Sequence, residues 1–311
     1  MTEWPQLDWP AWRETAIGLQ LRMQMVGKLR LALTPWLNHS WHVPFYLSAH
    51  GLATGPMPCG GEVVEAEFDL IDHALVLRDS RGATRTLVLE AGSMAAFYAA
   101  LTAALADLGV SMEIDPQPSE MPGAPRFVED LAVRPYNARA AHDFWRALLT
   151  IDRILKDFRT SFLGKASPVQ FFWGSFDLVA TRFSGRRAPR HPGGAPGLPD
   201  PVTREAYSHE EASAGFWPGS AAAPTAAFYA YAYPLPPGYA AASVAPAAAA
   251  WNDTLGEFIL PYDAVRTAPD PEGALRDFLQ STYAAAADLG GWDRALLDCT
   301  PGGAGVPRAV P

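Results

Sequence analysis

The chain repeats itself at long range. Phe45-Tyr46-Leu47-Ser48 leads to Ala53-Thr54, and Phe172-Trp173-Gly174-Ser175 leads to Ala180-Thr181, with nine residues from Phe to Thr in both copies. Further along, the run from Phe97 to Ala106-Asp107-Leu108-Gly109 is echoed from Phe278 to Ala287-Asp288-Leu289-Gly290, in the same order. Solenoid units are about 20–50 residues long. A repeat spaced by well over a hundred residues is a whole lobe, so the pattern predicts two similar lobes packed together, with a site at their interface.

Composition narrows the class. A chain of 311 residues with 49% apolar and 18% charged residues can bury a large core. Its net charge of −9 argues against nucleic acid, because a phosphate backbone calls for a dense basic face. Cys59 and Cys299 are too few for a disulfide framework and lack zinc-site spacing. The opening Met1-Thr2-Glu3-Trp4-Pro5 has no basic segment, and no apolar run reaches the roughly 20 residues that span a bilayer. A cytoplasmic protein without membrane contact is expected. Only Lys28, Lys156 and Lys165 are lysines, while arginine and alanine are abundant. A GC-rich genome explains that bias, and a chemical role for Lys156 or Lys165 is the alternative.

Periodicity predicts an α+β fold in which each lobe is an antiparallel sheet flanked by helices. In residues 1–114, apolar residues recur from Trp12 to Leu33 at three- and four-residue steps, as one buried helical stripe ended by Pro35. Val43 to Leu52 reads as one strand. Glu62 to Leu70, Ala74 to Leu77 and Thr84 to Leu89 form a meander with one wet face. Ser93 caps a helix to Asp107, and Gly109 stops it. Residues 115–136, rich in Pro and Gly near their start, read as a linker.

Residues 137–311 repeat the plan. A helix runs from Asn137 to about Phe162, and a long strand from Val169 to Phe183 bends at Gly174. Residues 184–219 read as an irregular insertion, the kind of long loop that is functional or disordered. Phe228 to Tyr233 and Gly256 to Tyr262 are strands, and Asp270 to Asp288 is the closing helix.

Nucleotide-binding, serine-hydrolase and zinc-protease signatures are missing; His209-Glu210 continues as Glu211-Ala212-Ser213 and not to a second His. Polar residues on aromatic ground remain. Asn38-His39-Ser40-Trp41-His42 sets two imidazoles three apart, fit for a metal or a proton carrier, or simply for pairing with loop backbone. Alternation places Trp173, Ser175 and Asp177 on one strand face, and a carboxylate on such ground needs a partner, with Arg182 the nearest candidate. Arg186-Arg187-Ala188-Pro189-Arg190-His191 is either an anion-holding turn or a solvated loop. His209 with Glu210, joined by His191 and His39, forms a metal site or an oriented base if the fold gathers them. Tyr229, Tyr231 and Tyr233 share one strand face, as pocket wall or as packing.

Several of these strings together carry a resemblance. Asn38-His39-Ser40-Trp41-His42-Val43-Pro44-Phe45-Tyr46, Ser167 to Leu178, Thr181-Arg182-Phe183-Ser184-Gly185-Arg186, Ser208-His209-Glu210, Gly215-Phe216-Trp217-Pro218-Gly219 and Glu257 to Tyr262 resemble the bacterial domain-of-unknown-function family 5996. The resemblance spans nearly the whole chain and implies no activity. Family members often carry His where this chain has Gln170, so a reaction needing an imidazole there would be impaired here.

The expected function is a small-molecule enzyme with a His/Arg/aromatic pocket near the lobe interface, taking a small and possibly anionic ligand. His39 or His209 is the proton carrier, Glu210 its orienter, Arg182 and Arg186 an anion clamp, and Trp173, Trp217 and Tyr231 the walls, with Asp177 and His191 also facing the ligand. A non-catalytic ligand-binding protein and an assembly subunit are the competing readings. Neither a cofactor nor a metal follows from the sequence.

Overall fold

The computed structural model describes residues 4–195, 197–220 and 223–308. Each half contains one long helix, six strands and a later helix, and the second half adds three short α-helices. The first half has α1 (Trp9–Leu33), β1 (Tyr46–Leu47), β2 (Gly51–Ala53), β3 (Met57–Cys59), β4 (Glu62–Asp69), β5 (Ala74–Asp79), β6 (Thr84–Val88) and α2 (Met94–Asp107). The second has α3 (Ala138–Thr160), β7 (Gln170–Phe172), β8 (Asp177–Arg187), α4 (Asp200–Ala206), β9 (His209–Trp217), β10 (Ala227–Tyr233), β11 (Ala250–Asn252), β12 (Glu257–Pro261), α5 (Tyr262–Arg266), α6 (Pro271–Leu289) and α7 (Arg294–Leu297).

Both sheets are six-stranded and antiparallel, ordered β1-β2-β4-β5-β6 with β3 beside β4, and β7-β8-β9-β10-β12-β11. The halves share strand number and antiparallel pairing but differ in strand order, since the third strand lies off the main path in the first sheet and the last two strands exchange places in the second. Ser93, Asn137 and Asp270 cap α2, α3 and α6 by accepting from the backbone N–H three residues on. Gly109, at φ +75°, ends the α2 turn in the left-handed region.

The two sheets meet edge to edge. Phe45 and Phe171 exchange both backbone hydrogen bonds, each 2.9 Å, so β7 and the start of β1 leave few unpaired edge groups at the seam. One apolar core runs through both halves. The helix α1 is buried on every side from Leu21 to Arg30, so the single apolar stripe read from its sequence is corrected to a central helix. That placement takes Arg22, Gln24, Lys28 and Arg30 into the interior. Gly27 is where the Trp173 ring crosses α1, and a Cβ there would stand 2.3 Å from the indole.

Three further expectations are corrected. The strand expected from Val43 to Leu52 is a hairpin, turned where the Ser48 hydroxyl accepts from the backbone N–H of His50 and Gly51. The long strand from Val169 to Phe183 is likewise a hairpin, and Trp173–Phe176 is its turn, with Phe176 at φ +63°. Residues 184–219 are not an irregular insertion, because they hold the end of β8, the helix α4 and all of β9, an interior strand of the second sheet. Their Ala, Ser and Gly content conceals a strand whose order comes from two hydrogen-bonded neighbours.

Candidate functional site

The second sheet has two unlike faces, and register sorts them. Leu178, Ala180, Arg182, Ala214, Phe216, Phe228, Ala230 and Leu260 are buried on the side of α3 and α6. Alternation sends the intervening residues the other way. There the register aligns Thr181, Ser213 and Tyr231 in one row, Phe183, Glu211 and Tyr233 in the next, and Val179, Gly215, Tyr229 and Ile259 in a third. Loop, rather than helix-bundle core, covers this face. Tyr207 reaches the Tyr231 hydroxyl at 3.3 Å, and the His191 ring stacks on Tyr207 at 4.8 Å.

This face is buried yet polar. The Asp177 carboxylate accepts from the hydroxyls of Ser175 and Tyr229, and Thr181 and Ser213 bond through their hydroxyls at 2.9 Å. Burial pushes Glu211 up to about 8, with Lys165 and a Tyr231 hydrogen bond pulling the other way. Burial also raises Asp177, and lifts Glu120 and Glu257 to about 7, each helped by the Asp177 charge. Gly215 keeps room for this arrangement, since a Cβ there would lie 2.6 Å from the Tyr229 hydroxyl oxygen.

The polar face opens to solvent beside the seam, at a cluster of His39, Trp41, Lys165, Phe183 and His209. His39 is buried and sits at φ +57°, a backbone conformation uncommon outside Gly, Asn and Asp. Its Nδ1 faces the Ala206 carbonyl at 2.7 Å, and its Nε2 faces Lys165 Nζ at 2.6 Å. A carbonyl only accepts, so Nδ1 carries the proton and Nε2 accepts from the lysine. Burial lowers the His39 pKa, and the charges of Lys165 and His209 lower it further. The His209 ring, 5.7 Å from His39, is lowered by burial and by Lys165 and Arg187.

Lys165 is solvent-exposed, with its ammonium 5.1 Å from the Trp41 ring centre and 4.7 Å from that of Phe183. Such ring faces favour the charged amine by about 0.5–1 kcal/mol at exposed sites. Burial acts against them and, despite the Glu211 charge, the net direction of the Lys165 pKa is down.

The structure brings His39, His209 and Tyr231 to this one face, with Asp177 and the half-buried Trp217 farther along it. It adds His191 as cover, through Tyr207 and Tyr233, and separates Glu210, Arg182, Arg186 and Trp173 from it. Glu210 adjoins His209 and therefore points to the opposite face, where it pairs with Arg186 at 2.6 Å, so it does not orient the imidazole. Arg186 also donates to the Gly290 and Gly291 carbonyls at the end of α6. Arg182 lies an odd number of residues from Asp177 and cannot share its face. It is buried against Phe158 and Tyr283, donates to the Phe158 carbonyl and Ser161, and is held at about 10 by burial. The anion clamp of Arg182 and Arg186 is thus replaced by two structural arginines.

Trp173 is buried in the seam, donating to the Val43 carbonyl at 2.9 Å. His191 packs on Tyr207 and Tyr233 and accepts from the Gly193 N–H at 3.0 Å. Among the described residues, no three His, Cys, Asp or Glu side chains are placed to hold a metal ion. Sequence reasoning passed over Glu211 and Tyr207, and left Lys165 as a minor reading. Alternation from His209 through Glu211 and Ser213 to Gly215 was the signal for the first.

The chain belongs to a family of unknown function, DUF5996, whose model matches residues 4–299. No curated protein and no solved structure matches it.

Proposed function

We propose that this protein is an enzyme acting on a small carbonyl compound at the seam, with Lys165 as the nucleophilic amine. The observation that carries the reading is the 2.6 Å contact between Lys165 Nζ and a His39 ring fixed in one tautomer. A lysine attacks a carbonyl only as the free amine, and an adjacent base together with a lowered pKa supplies it. His39 Nε2 first takes a proton from the ammonium, and the freed amine attacks the carbonyl carbon, passing a second proton from nitrogen to the new oxygen as the carbinolamine forms. His39 then returns its proton to the carbinolamine hydroxyl, which leaves as water and gives the protonated imine. His209, uncharged near neutral pH, supports the exchange from the other side.

Reductive trapping tests this. The protein is incubated with a small aldehyde or 2-keto acid and cyanoborohydride near pH 7, and adducts at Lys28, Lys156 and Lys165 are quantified by peptide mass spectrometry. Lys165 labels fastest, well ahead of Lys156, which is held by Asp152 at 2.6 Å. His39→Asn, chosen because Asn tolerates the left-handed backbone, slows Lys165 labelling by about 10²-fold, the low end of general-base effects. Equal rates at Lys156 and Lys165 would sink the proposal.

The second reading is non-covalent binding of a small aromatic or apolar ligand, favoured by the Trp41 and Phe183 rings that flank Lys165. A cytoplasmic setting belongs to the same proposal and is supported by the free thiols of Cys59 and Cys299. No helix among the described residues is long and apolar enough to cross a membrane.

A further inference from the structure

A second polar cluster lies inside the seam, and its groups are incompletely satisfied. Arg30 is 7% exposed, and its guanidinium donates to the Thr54 carbonyl through Nη1. Its buried Nε has no partner, and among the described residues no carboxylate comes within ion-pair distance. Arg182 also has nitrogens without a partner, Nε and Nη1, but it lies between ring faces and has an added hydroxyl acceptor. Arg30 has neither. A buried cation with one neutral acceptor is costly.

Two neighbours, His42 and Gln170, share the shortage. His42 is 1% exposed, and its Nδ1 accepts from the Leu37 N–H at 3.2 Å. Its proton therefore sits on Nε2, which is buried without a partner. The Arg30 charge reaches the His42 ring, which is kept neutral chiefly by burial, and it reaches the Tyr46 hydroxyl too. Tyr46 accepts a long 3.4 Å bond from Gln170 Nε2, and the buried Gln170 Oε1 has no partner. A half-turn of that amide lets Oε1 accept from the Tyr46 hydroxyl and leaves the NH₂ as a third free donor.

We infer that Arg30, His42 and Gln170, with Tyr46 holding the amide, form a site for a small oxyanion, either a carboxylate or inorganic phosphate. Guanidinium, imidazole N–H and amide N–H are the donor set such a group needs, and together they supply charge and direction. The donors come from α1, from the loop before β1 and from β7, so the site exists only where the two halves meet. It does not depend on Lys165.

Isothermal titration of the whole protein with acetate, pyruvate, sulfate and phosphate tests the site. Saturable binding of one anion per chain is expected, and the order among the four separates a carboxylate site from a phosphate site. Arg30→Gln abolishes the heat, and Tyr46→Phe, which removes only a hydroxyl, weakens binding at least 3-fold with folding checked by circular dichroism. Lys165→Ala leaves the affinity unchanged, so failure of the carbonyl reading does not touch this one. Absence of saturable binding in the wild-type protein overturns the proposal. So does binding that survives both Arg30→Gln and Tyr46→Phe, or that is lost in Lys165→Ala.

Discussion

The two faces of the second sheet come from the same strands and do opposite things. On the helix side, Phe216 touches Phe228 and Tyr262, and the packing is apolar apart from Arg182. On the loop side the same three strands bury Asp177, Glu211 and Ser213 and half-bury Tyr229 and Tyr231, at a cost in desolvation that apolar residues would avoid. The contrast separates what stabilises this protein from what it can use. Hydrophobic burial holds the sheet through one face, and the other is free to carry chemistry.

Substitutions that act on one face at a time test this division, beginning with the largest effect. Phe216→Ala should cost about 3–5 kcal/mol, the usual range for emptying a buried aromatic position, read from urea unfolding. A loss no greater than that of Tyr231→Phe would erase the distinction between the faces.

Next comes Glu211→Gln. Glu211 titrates at about 8 in the fold and near 4.3 in an unfolded chain. Between those values the folded state holds the extra proton, so its stability falls as pH rises from about 4 to about 8. The advantage of the Gln variant should therefore grow across that window, by on the order of a few kcal/mol. Glu120 and Glu257, raised to about 7, add a slope of the same sign that ends near pH 7 and is common to both proteins. Parallel stability curves for the two proteins would place Glu211 in water.

Smaller effects sharpen the picture. Tyr231→Phe removes the hydroxyl between Tyr207 and Glu211 and should cost about 1 kcal/mol. Lys165→Ala, at an exposed position, should change stability by less than about 0.5 kcal/mol while removing the amine that the proposed reaction needs. Loss of several kcal/mol there would make Lys165 structural.

Sequence pattern reached the helices and the meander of the first half because their signals are local. Ser93, Asn137 and Asp270 act as caps within one turn of chain, and the alternation in Glu62–Asp69 is complete in eight residues. β9 escaped because Glu211, Ala212, Ser213, Ala214 and Gly215 have little strand preference of their own, and β8 and β10 supply its order. Within the site, His39 and His209 were singled out as imidazoles near strands. Glu210 was misassigned where its neighbour Glu211 faces the cluster, a difference of one residue and hence one whole face.

The sequence alone determined that there are two copies of one plan, because a long-range echo in composition is visible without coordinates. It also determined that His, Tyr and Arg stand within aromatic stretches of the chain. Which of these groups share a space was decided only by the tertiary structure. Strand register assigns each residue to a face, and the Phe45–Phe171 pairing brings a loop of one half over a strand of the other. Neither is encoded within a short window, because register is set by partners on separate strands and the Phe45–Phe171 pairing joins residues more than a hundred positions apart.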